Sequence, residues 1–333
     1  MKKYKIGIVG IGAVGSELIK ILRERKFPAE EIRVMARSDR REKISGETFH
    51  VIAASHETFE GLDFAFFAGT EGAKGASQIY GWEAAKRGVT VIDNGDDFRM
   101  DSRVPLVIPE INPDALQNHS GFIANPNCST IIALMALAPL HAAAGIRRFV
   151  VSTYQSVSGT GRRAIKELEK QVIAYNPEEV LPPEVYPHQI AFNVIPQIGS
   201  LSPQMPGYTS EEAKMLFETK KILGTENIRV SATCVRVPVF YGHAESINVE
   251  FERPVTPEEA HEILLKAPGV QIIDDPSNGL YPMPLDVTGK DDVYVGRIRP
   301  DDSVENGLAI FSVGDNIRKG AALNAVQIAE KLI

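Results

Sequence analysis

The stretch Gly10-Ile11-Gly12-Ala13-Val14-Gly15 constrains this chain more than any other. It follows an apolar run, Lys5-Ile6-Gly7-Ile8-Val9, and opens a pattern from Ala13 to Arg25 that puts Val14, Leu18, Ile21 and Leu22 on one helical face. In such a fingerprint one glycine permits a tight turn, a second lets the backbone approach a pyrophosphate, and a third lets the helix pack on the strand. The phosphates then lie at the helix N-terminus. A bare glycine turn has the same letters; the strand before it and the helix after it favour the dinucleotide. Gly10, Gly12, Ala13, Val14 and Gly15 are the expected cofactor residues of this loop.

The pattern continues in kind. Ile32-Arg33-Val34-Met35, Phe64-Ala65-Phe66-Phe67, Val89-Thr90-Val91-Ile92 and Phe122-Ile123-Ala124 read as short buried strands, with a helical stretch through Ala84-Ala85-Lys86. Strands alternating with helices predict an α/β, doubly wound parallel sheet. Beyond Pro126 the strands lengthen: Arg148 to Ser156, Arg229 to Phe240, Ser246 to Glu252, Val293 to Ile298 and Leu308 to Val313. Fewer helices separate them. One opens at Thr256-Pro257-Glu258-Glu259, an N-cap followed by a first-turn proline and acids. An α+β unit with a mixed or antiparallel sheet is expected there, with Pro177 to Tyr208 as a proline-rich excursion. At 333 residues two domains are expected. We place them at 1–127 and 128–314, with the C-terminal helix, within 315–333, packing on either.

About 20 residues past the glycine loop an NAD enzyme offers an acid to the ribose hydroxyl. Here stand Met35-Ala36-Arg37-Ser38, and Arg37 with Ser38 suits a 2′-phosphate. NADP is therefore favoured, with NAD the alternative because Asp39 is one step further. A solvated loop charge is the other reading of Arg37.

Composition removes several classes. A net charge of −7 argues against a general nucleic-acid binder, and mixed-sign runs such as Arg40-Arg41-Glu42-Lys43 read as solvated surface. Two cysteines exclude a disulfide framework and a multi-cysteine metal site, and no metal is expected. No apolar stretch approaches the ~20 residues of a membrane span, and the N-terminus lacks signal-peptide features. We expect a soluble cytoplasmic protein acting on a small molecule, with neither nucleic acid nor membrane as partner.

Asn125-Pro126-Asn127-Cys128-Ser129-Thr130 precedes an apolar helical run, Ile131 to Leu137. Cys128 thus falls in a first helical turn, where uncompensated N–H groups favour an anion, lower a thiol's pKa and could hold an oxyanion. Cys234, inside a strand-like run, reads as a buried inert thiol. Of seven histidines His243, in Phe240-Tyr241-Gly242-His243-Ala244-Glu245, is the best candidate base, in a turn between two strands. By periodicity it is equally a surface residue of a hairpin turn.

These segments, with Tyr154-Gln155-Ser156-Val157-Ser158-Gly159, Ile190-Ala191-Phe192-Asn193-Val194-Ile195-Pro196, Glu211-Glu212-Ala213-Lys214, Arg236-Val237-Pro238-Val239 and Asp315-Asn316-Ile317-Arg318-Lys319-Gly320-Ala321-Ala322-Leu323-Asn324, occur in an order that resembles the bacterial aspartate-β-semialdehyde dehydrogenase family over almost the whole chain. The resemblance implies a Rossmann-like dinucleotide domain, a catalytic and dimerisation domain, and a homodimer through the latter. It implies that Cys128 attacks the semialdehyde carbonyl, that His243 removes the thiol proton, and that hydride transfer to NADP+ leaves a thioester which phosphate opens to β-aspartyl phosphate. In biosynthesis of lysine, threonine and methionine the reaction would run in reverse. By the same resemblance Gln155 orients the acyl group, Arg236 meets the α-carboxylate, Glu211 the α-ammonium, and Arg99 with Lys214 the phosphate. Ser158, Gly159 and Asn316 join the cofactor residues.

Each role has a plainer reading, since Glu211 and Lys214 are three apart and could be a surface pair, and Arg99 a turn charge. Three places depart from the family pattern. The glycine loop is one residue shorter than the commoner GxxGxxG, Gly69-Thr70-Glu71-Gly72 replaces a more Gly/Ser-rich turn, and Asp96 and Asp97 stand beside Arg99 where they would repel an anion. An N-acetyl-glutamyl-phosphate reductase, an acyl-CoA reductase and a non-catalytic paralogue are the rivals. Arg236 with Glu211 favours a free amino-acid substrate over the first two, and Cys128, His243, Gln155 and Arg236 together argue against the third.

Overall fold

A computed structural model of the chain describes residues 2–69, 75–176 and 181–333. It divides into two compact units, Met1–Asn127 with Ala321–Ile333, and Cys128–Gly320. The replaced turn at Thr70-Glu71-Gly72 and the first residues of the proline-rich excursion, 177–180, lie outside the described residues.

The first unit holds β1 (Tyr4–Val9), α1 (Ala13–Glu24), β2 (Ala29–Ala36), β3 (Arg40–Ile44), β4 (Glu47–Ala53), β5 (Phe64–Phe67), α2 (Trp82–Lys86), β6 (Thr90–Asp93) and β7 (Phe122–Ala124). Among the described residues these strands form one sheet in the order β3-β4-β2-β1-β5-β6-β7. All pairs are parallel except β3 with β4. The run Arg40 to Lys43, expected as plain surface, is that antiparallel edge strand. Arg40, Arg41 and Lys43 are exposed on it, and charge on an edge strand disfavours pairing with another chain. Leu18, Ile19, Ile21 and Leu22 of α1 are buried against Ile6, Ile8, Phe64 and Phe66, and the C-terminal helix Leu323–Glu330 joins the same core. Each such aliphatic side chain contributes about 1.5–3 kcal/mol by leaving water. Neighbours of β1 in the sheet are β2 on one side and β5 on the other. The strand order therefore reverses there, and the crevice beyond the carboxyl ends is the place for a ligand.

In the second unit α3 (Cys128–Ala144) is followed by β8 (Ile146–Gln155), α4 (Arg162–Ile173), α5 (Ser210–Leu223), β9 (Arg229–Arg236) and β10 (His243–Phe251). Then come α6 (Pro257–Leu265), β11 (Val270–Ile272), α7 (Pro284–Val287), β12 (Val293–Pro300) and β13 (Gly307–Gly314). The described strands form a mixed sheet ordered β11-β12-β13-β10-β8-β9. Its β8–β9 pair is parallel, whereas β10 runs antiparallel to β8 and to β13. Apolar on all sides, α3 is buried along most of its length, as a helix of that composition must be. It packs on the sheet, with Ser312 Oγ donating to Ile132 O at 3.2 Å. A capping box starts α5: Thr209 Oγ1 accepts from Glu212 N, and the Glu212 carboxylate accepts from Thr209 N.

Two sequence expectations change here. The strand from Arg229 ends at Arg236 rather than Phe240, because Pro238 has no N–H for the ladder. The run from Arg318 begins as a π-turn, Arg318–Ala322, before α-helix resumes at Leu323.

Candidate active site

On the first unit the glycine loop leaves the carboxyl end of β1. Gly10 has φ 94°, a conformation that favours glycine, and a Cβ on Gly15 would stand 1.9 Å from Gly10 O. Gly12 is the N-cap of α1 with no side-chain cap, and a Cβ there would meet nothing within 4 Å. The turn and the helix packing thus each require one glycine, and Gly12 leaves the approach to the helix amides unobstructed. Ala13 and Val14 begin the helix. Arg37 and Ser38 are exposed just past β2, and Asp39 Oδ1 accepts from Ala53 N at 2.9 Å, so that carboxylate ties β4 in place. Beyond β6, Arg99 is buried and donates from Nη2 to Asn94 O at 2.7 Å. Asp93, at the end of β6, is lifted to about 6 by burial, against a hydrogen bond from Gly95 N and the charge of Arg99.

The second unit gathers most of the remaining candidates at one edge of its sheet. Parallel β8 and β9 end there at Gln155 and Arg236, which are register partners, and antiparallel β10 starts there at His243. The expected hairpin turn around His243 is not what forms. β8 lies between β9 and β10, and His243 is the fully buried first residue of its strand.

Gln155 Nε2 donates to Glu211 Oε1 at 3.1 Å, and Gln155 Oε1 accepts from Thr153 Oγ1 at 2.9 Å. Glu211 Oε2 is 3.4 Å from Lys214 Nζ. Both side chains are largely shielded, so Glu211 and Lys214 are not an exposed surface pair. Arg236 Nη1 donates to Ser156 O at 2.6 Å, and its guanidinium lies over the Tyr186 ring at 6.0 Å. A side chain at Gly159 would crowd its neighbours. A Cβ there would come within 3.0 Å of Arg236 Nη1 and 3.3 Å of His243 Nε2.

A second group of polar atoms surrounds the other side of the imidazole. Asn316 Oδ1 accepts from Gly242 N at 3.0 Å and lies 3.1 and 3.0 Å from the hydroxyls of Ser156 and Ser158. Asp315 fixes that turn by accepting from Ile317 N, Arg318 N and Gly289 N. Burial, reinforced by the Arg236 charge, pushes the His243 imidazole down to about 3. Glu245, two residues along the same strand, goes the opposite way: burial, with Glu211 nearby, raises its carboxyl well above the usual range.

Cys128 is the first residue of α3 and is partly accessible. It abuts the Asn316 turn, for a Cβ on Gly320 would stand 2.9 Å from Cys128 Cβ. Cys234 is fully buried, and desolvation with the Glu211 charge pushes its thiol far up, so it stays protonated and unreactive. A partly accessible sulfur at a helix start, a forked cation, a bonded carboxylate and a buried imidazole can together bind a small zwitterion and support attack on its carbonyl. Ser156, Tyr186 and Glu245 were not singled out from sequence. Ser156 and Glu245 lay inside quoted motifs, while Tyr186 has no local signal.

The chain matches the family models for the semialdehyde dehydrogenase NAD binding domain over residues 5–119 and for the semialdehyde dehydrogenase dimerisation domain over residues 137–319. An aspartate-semialdehyde dehydrogenase of Aquifex aeolicus is 50% identical over 341 aligned positions, covering 99% of this chain and 98% of that one. That of Bacillus subtilis is 46% identical over 98% and 96%. The crystal structure of aspartate semialdehyde dehydrogenase II complexed with ASA from Vibrio cholerae superposes with a TM-score of 0.93 at 41% identity, covering 100% of this chain and 98% of that one. Likeness of this extent, over both units, decides among the rivals left by the sequence. The chain belongs to the aspartate-semialdehyde dehydrogenase family and is a phosphorylating aldehyde dehydrogenase that uses NAD(P).

Proposed function

We propose that this enzyme interconverts L-aspartate 4-semialdehyde and 4-aspartyl phosphate through a thioester on Cys128, with NADP as its dinucleotide. The observation that carries the residue assignment is the convergence of Gln155, Arg236 and His243 at one sheet edge, with Glu211 bonded to Gln155. The Arg236 fork suits the substrate α-carboxylate, to which it can donate two parallel hydrogen bonds. Its Nε is buried and has no hydrogen-bond partner among the described residues. Glu211, anchored on both oxygens, supplies the negative charge for the α-ammonium, and Gln155 orients the acyl group. Lys214 is an anion ligand of the second unit and Arg99 one of the first. Cys128 adds to the carbonyl, splitting a difficult transfer into two easier ones.

Gly10, Gly12, Ala13, Val14 and Gly15 would hold the dinucleotide phosphates, and Arg37 with Ser38 the 2′-phosphate. The engagement of Asp39 by Ala53 N removes part of the competing acid and favours NADP over NAD. Asn316 Nδ2 is buried without a partner among the described residues and fits the oxygen of a carboxamide, while Ser158 and Gly159 flank it. When bound, NADP supplies or accepts the hydride. We also propose a homodimer built on the second unit. Tyr154 is exposed on the sheet face opposite α3, its ring 6.3 Å from that of Phe311, and this supports burial by a second copy. Two thiols without a disulfide suit the reducing cytoplasm.

Initial rates with aspartate semialdehyde, with and without phosphate, and with NADP+ or NAD+, test this reading. We expect strict phosphate dependence, higher kcat/KM with NADP+, and a loss of about three orders of magnitude or more in Cys128→Ser with dinucleotide binding retained. Ordinary rates in Cys128→Ser would remove the thioester, and equal use of both dinucleotides would remove the Arg37 assignment.

A further inference from the structure

The proline-rich segment beyond α4 is tied down in a way that its surface position does not require. α4 presents two buried polar side chains one turn apart, Glu167 and Gln171, with Gln171 Nε2 donating to Glu167 Oε1 at 3.3 Å. Burying such groups is costly unless their hydrogen bonds are made. Here they are made to main chain. Glu167 Oε2 accepts from Val185 N, and Gln171 Oε1 accepts from Ile190 N at 3.1 Å and Ala191 N at 3.0 Å. Further along, Ile195 and Arg236 exchange main-chain hydrogen bonds of 2.9 Å each. Residues 185–195 thus form an arch fixed by Glu167, by Gln171 and by the main chain of Arg236 itself. Beneath it Ile190, Ala191 and Ile195 pack with Val157, Ala164 and Leu168.

Tyr186 stands at the start of this arch. Its hydroxyl donates to Thr160 Oγ1 at 3.0 Å, and the Arg236 guanidinium lies over its ring, 6.0 Å from the centroid. Burial raises the phenol above its ordinary value, against the charge of Arg236, so the ring stays neutral and offers its electron-rich face. An arginine has a long stem with many rotamers, and holding one of them costs entropy. Three things restrain this one. Nη1 donates to Ser156 O at 2.6 Å, a Cβ on Gly159 would come within 3.0 Å of the same nitrogen, and the Tyr186 ring lies against the guanidinium. Nε is left buried with no partner among the described residues. With the adjoining Nη2 it makes the edge of the fork that matches a carboxylate through two parallel hydrogen bonds.

We infer that Tyr186 is a specificity-determining residue, whose ring fixes and shields the Arg236 guanidinium so that its Nε edge is held ready for the α-carboxylate of the substrate. Tyr186 is a positioning residue. It acts through Arg236, and the arch held by Glu167 and Gln171 places it. This rests on the carboxylate role proposed above for Arg236. Without the ring the guanidinium gains rotamers and water, and the carboxylate must pay for ordering that the free enzyme now supplies. The loss falls on binding of that one group, so it raises KM more than it lowers kcat. A substrate without the α-carboxylate has nothing to lose by it.

The test is a discrimination ratio, kcat/KM for aspartate semialdehyde over kcat/KM for 3-aminopropanal, the same amino aldehyde without its α-carboxylate. Both are measured on one preparation of the intact enzyme, so any unfolded fraction cancels. In Tyr186→Leu, or in Tyr186→Met should the leucine variant fail to fold, the ratio should drop about 3–30-fold, mainly through KM for the semialdehyde. Tyr186→Phe keeps the ring and should hold the ratio within about twofold of the parent. Arg236→Gln should lower the ratio at least about tenfold, and adding Tyr186→Leu to it should change the ratio less than about twofold further. Equal losses on both substrates in Tyr186→Leu, or a phenylalanine variant as impaired as leucine, overturns the inference while the role of Arg236 stands. An unchanged ratio in Arg236→Gln removes the carboxylate role itself, and the inference with it.

Discussion

The two units use glycine for opposite ends. In the first, Gly10 and Gly15 shape the main chain itself, one through a positive φ and the other by lying against Gly10 O. The site proposed there is built of backbone N–H groups, which every residue but proline carries. In the second, Gly159 and Gly320 make room for particular side chains, those of Arg236, His243 and Cys128. A site made of backbone depends on local conformation, and a site made of side chains depends on which strands become neighbours. That is why the first can be found from six consecutive letters and the second cannot.

Substitutions at these glycines separate the two uses. Gly15→Ala should have the largest effect, because its Cβ meets main-chain oxygen that cannot move aside. We expect a loss of at least about 3 kcal/mol of stability from thermal or denaturant unfolding, with dinucleotide binding abolished. Gly12→Ala, which meets nothing, should leave stability within about 0.5 kcal/mol while weakening the dinucleotide. If both variants unfold alike, the distinction within the loop is wrong. Gly159→Ala should come next, lowering kcat/KM about 10–100-fold with stability changed by less than about 1 kcal/mol, since its backbone is unstrained and the methyl presses on functional side chains. A variant that unfolds instead would assign Gly159 to the architecture.

The effect of pH has opposite sign in the two units. His243 has a folded value near 3 against about 6.5 unfolded, so in that window the unfolded chain binds the extra proton. Relative to His243→Gln, the parent should therefore lose stability as pH falls below about 6.5, at up to about 1.4 kcal/mol per pH unit. Asp93 has a folded value near 6 against 3.8 unfolded, so the folded chain binds the extra proton. Relative to Asp93→Asn, the parent should lose stability as pH rises from 3.8 through about 6. Parallel pH curves for each pair would show that neither group differs between the folded and unfolded chains.

Much of the local structure was legible. The strands through Ile8, Phe66 and Ile92, the helix from Ala13 and the helix capped by Thr256 follow from periodicity and capping residues. Tyr154 to Gly159 stood out as a motif, yet its Ser156 N–H acquires a purpose only opposite Nδ1. The exposed strand Arg40–Ile44 was missed because its side chains carry charge on both faces, leaving no alternation to read. His243 was misplaced for a related reason. Gly242 looks like the turn of a hairpin, and nothing local reveals that β8 will come between β9 and β10.

By itself the sequence determined the glycine turn between β1 and α1, the helix start that carries Cys128, and the burial of Cys234 in a strand. These depend on spacings of a few residues, where sterics and hydrogen bonding act along the chain. Only the tertiary structure decided that Gln155, Arg236 and His243 share an edge, and that the His243 ring is buried beside Ser156 and Arg236. Strand order and register arise from packing between segments far apart in sequence, and the partners of a buried side chain are whatever that packing brings within hydrogen-bonding distance.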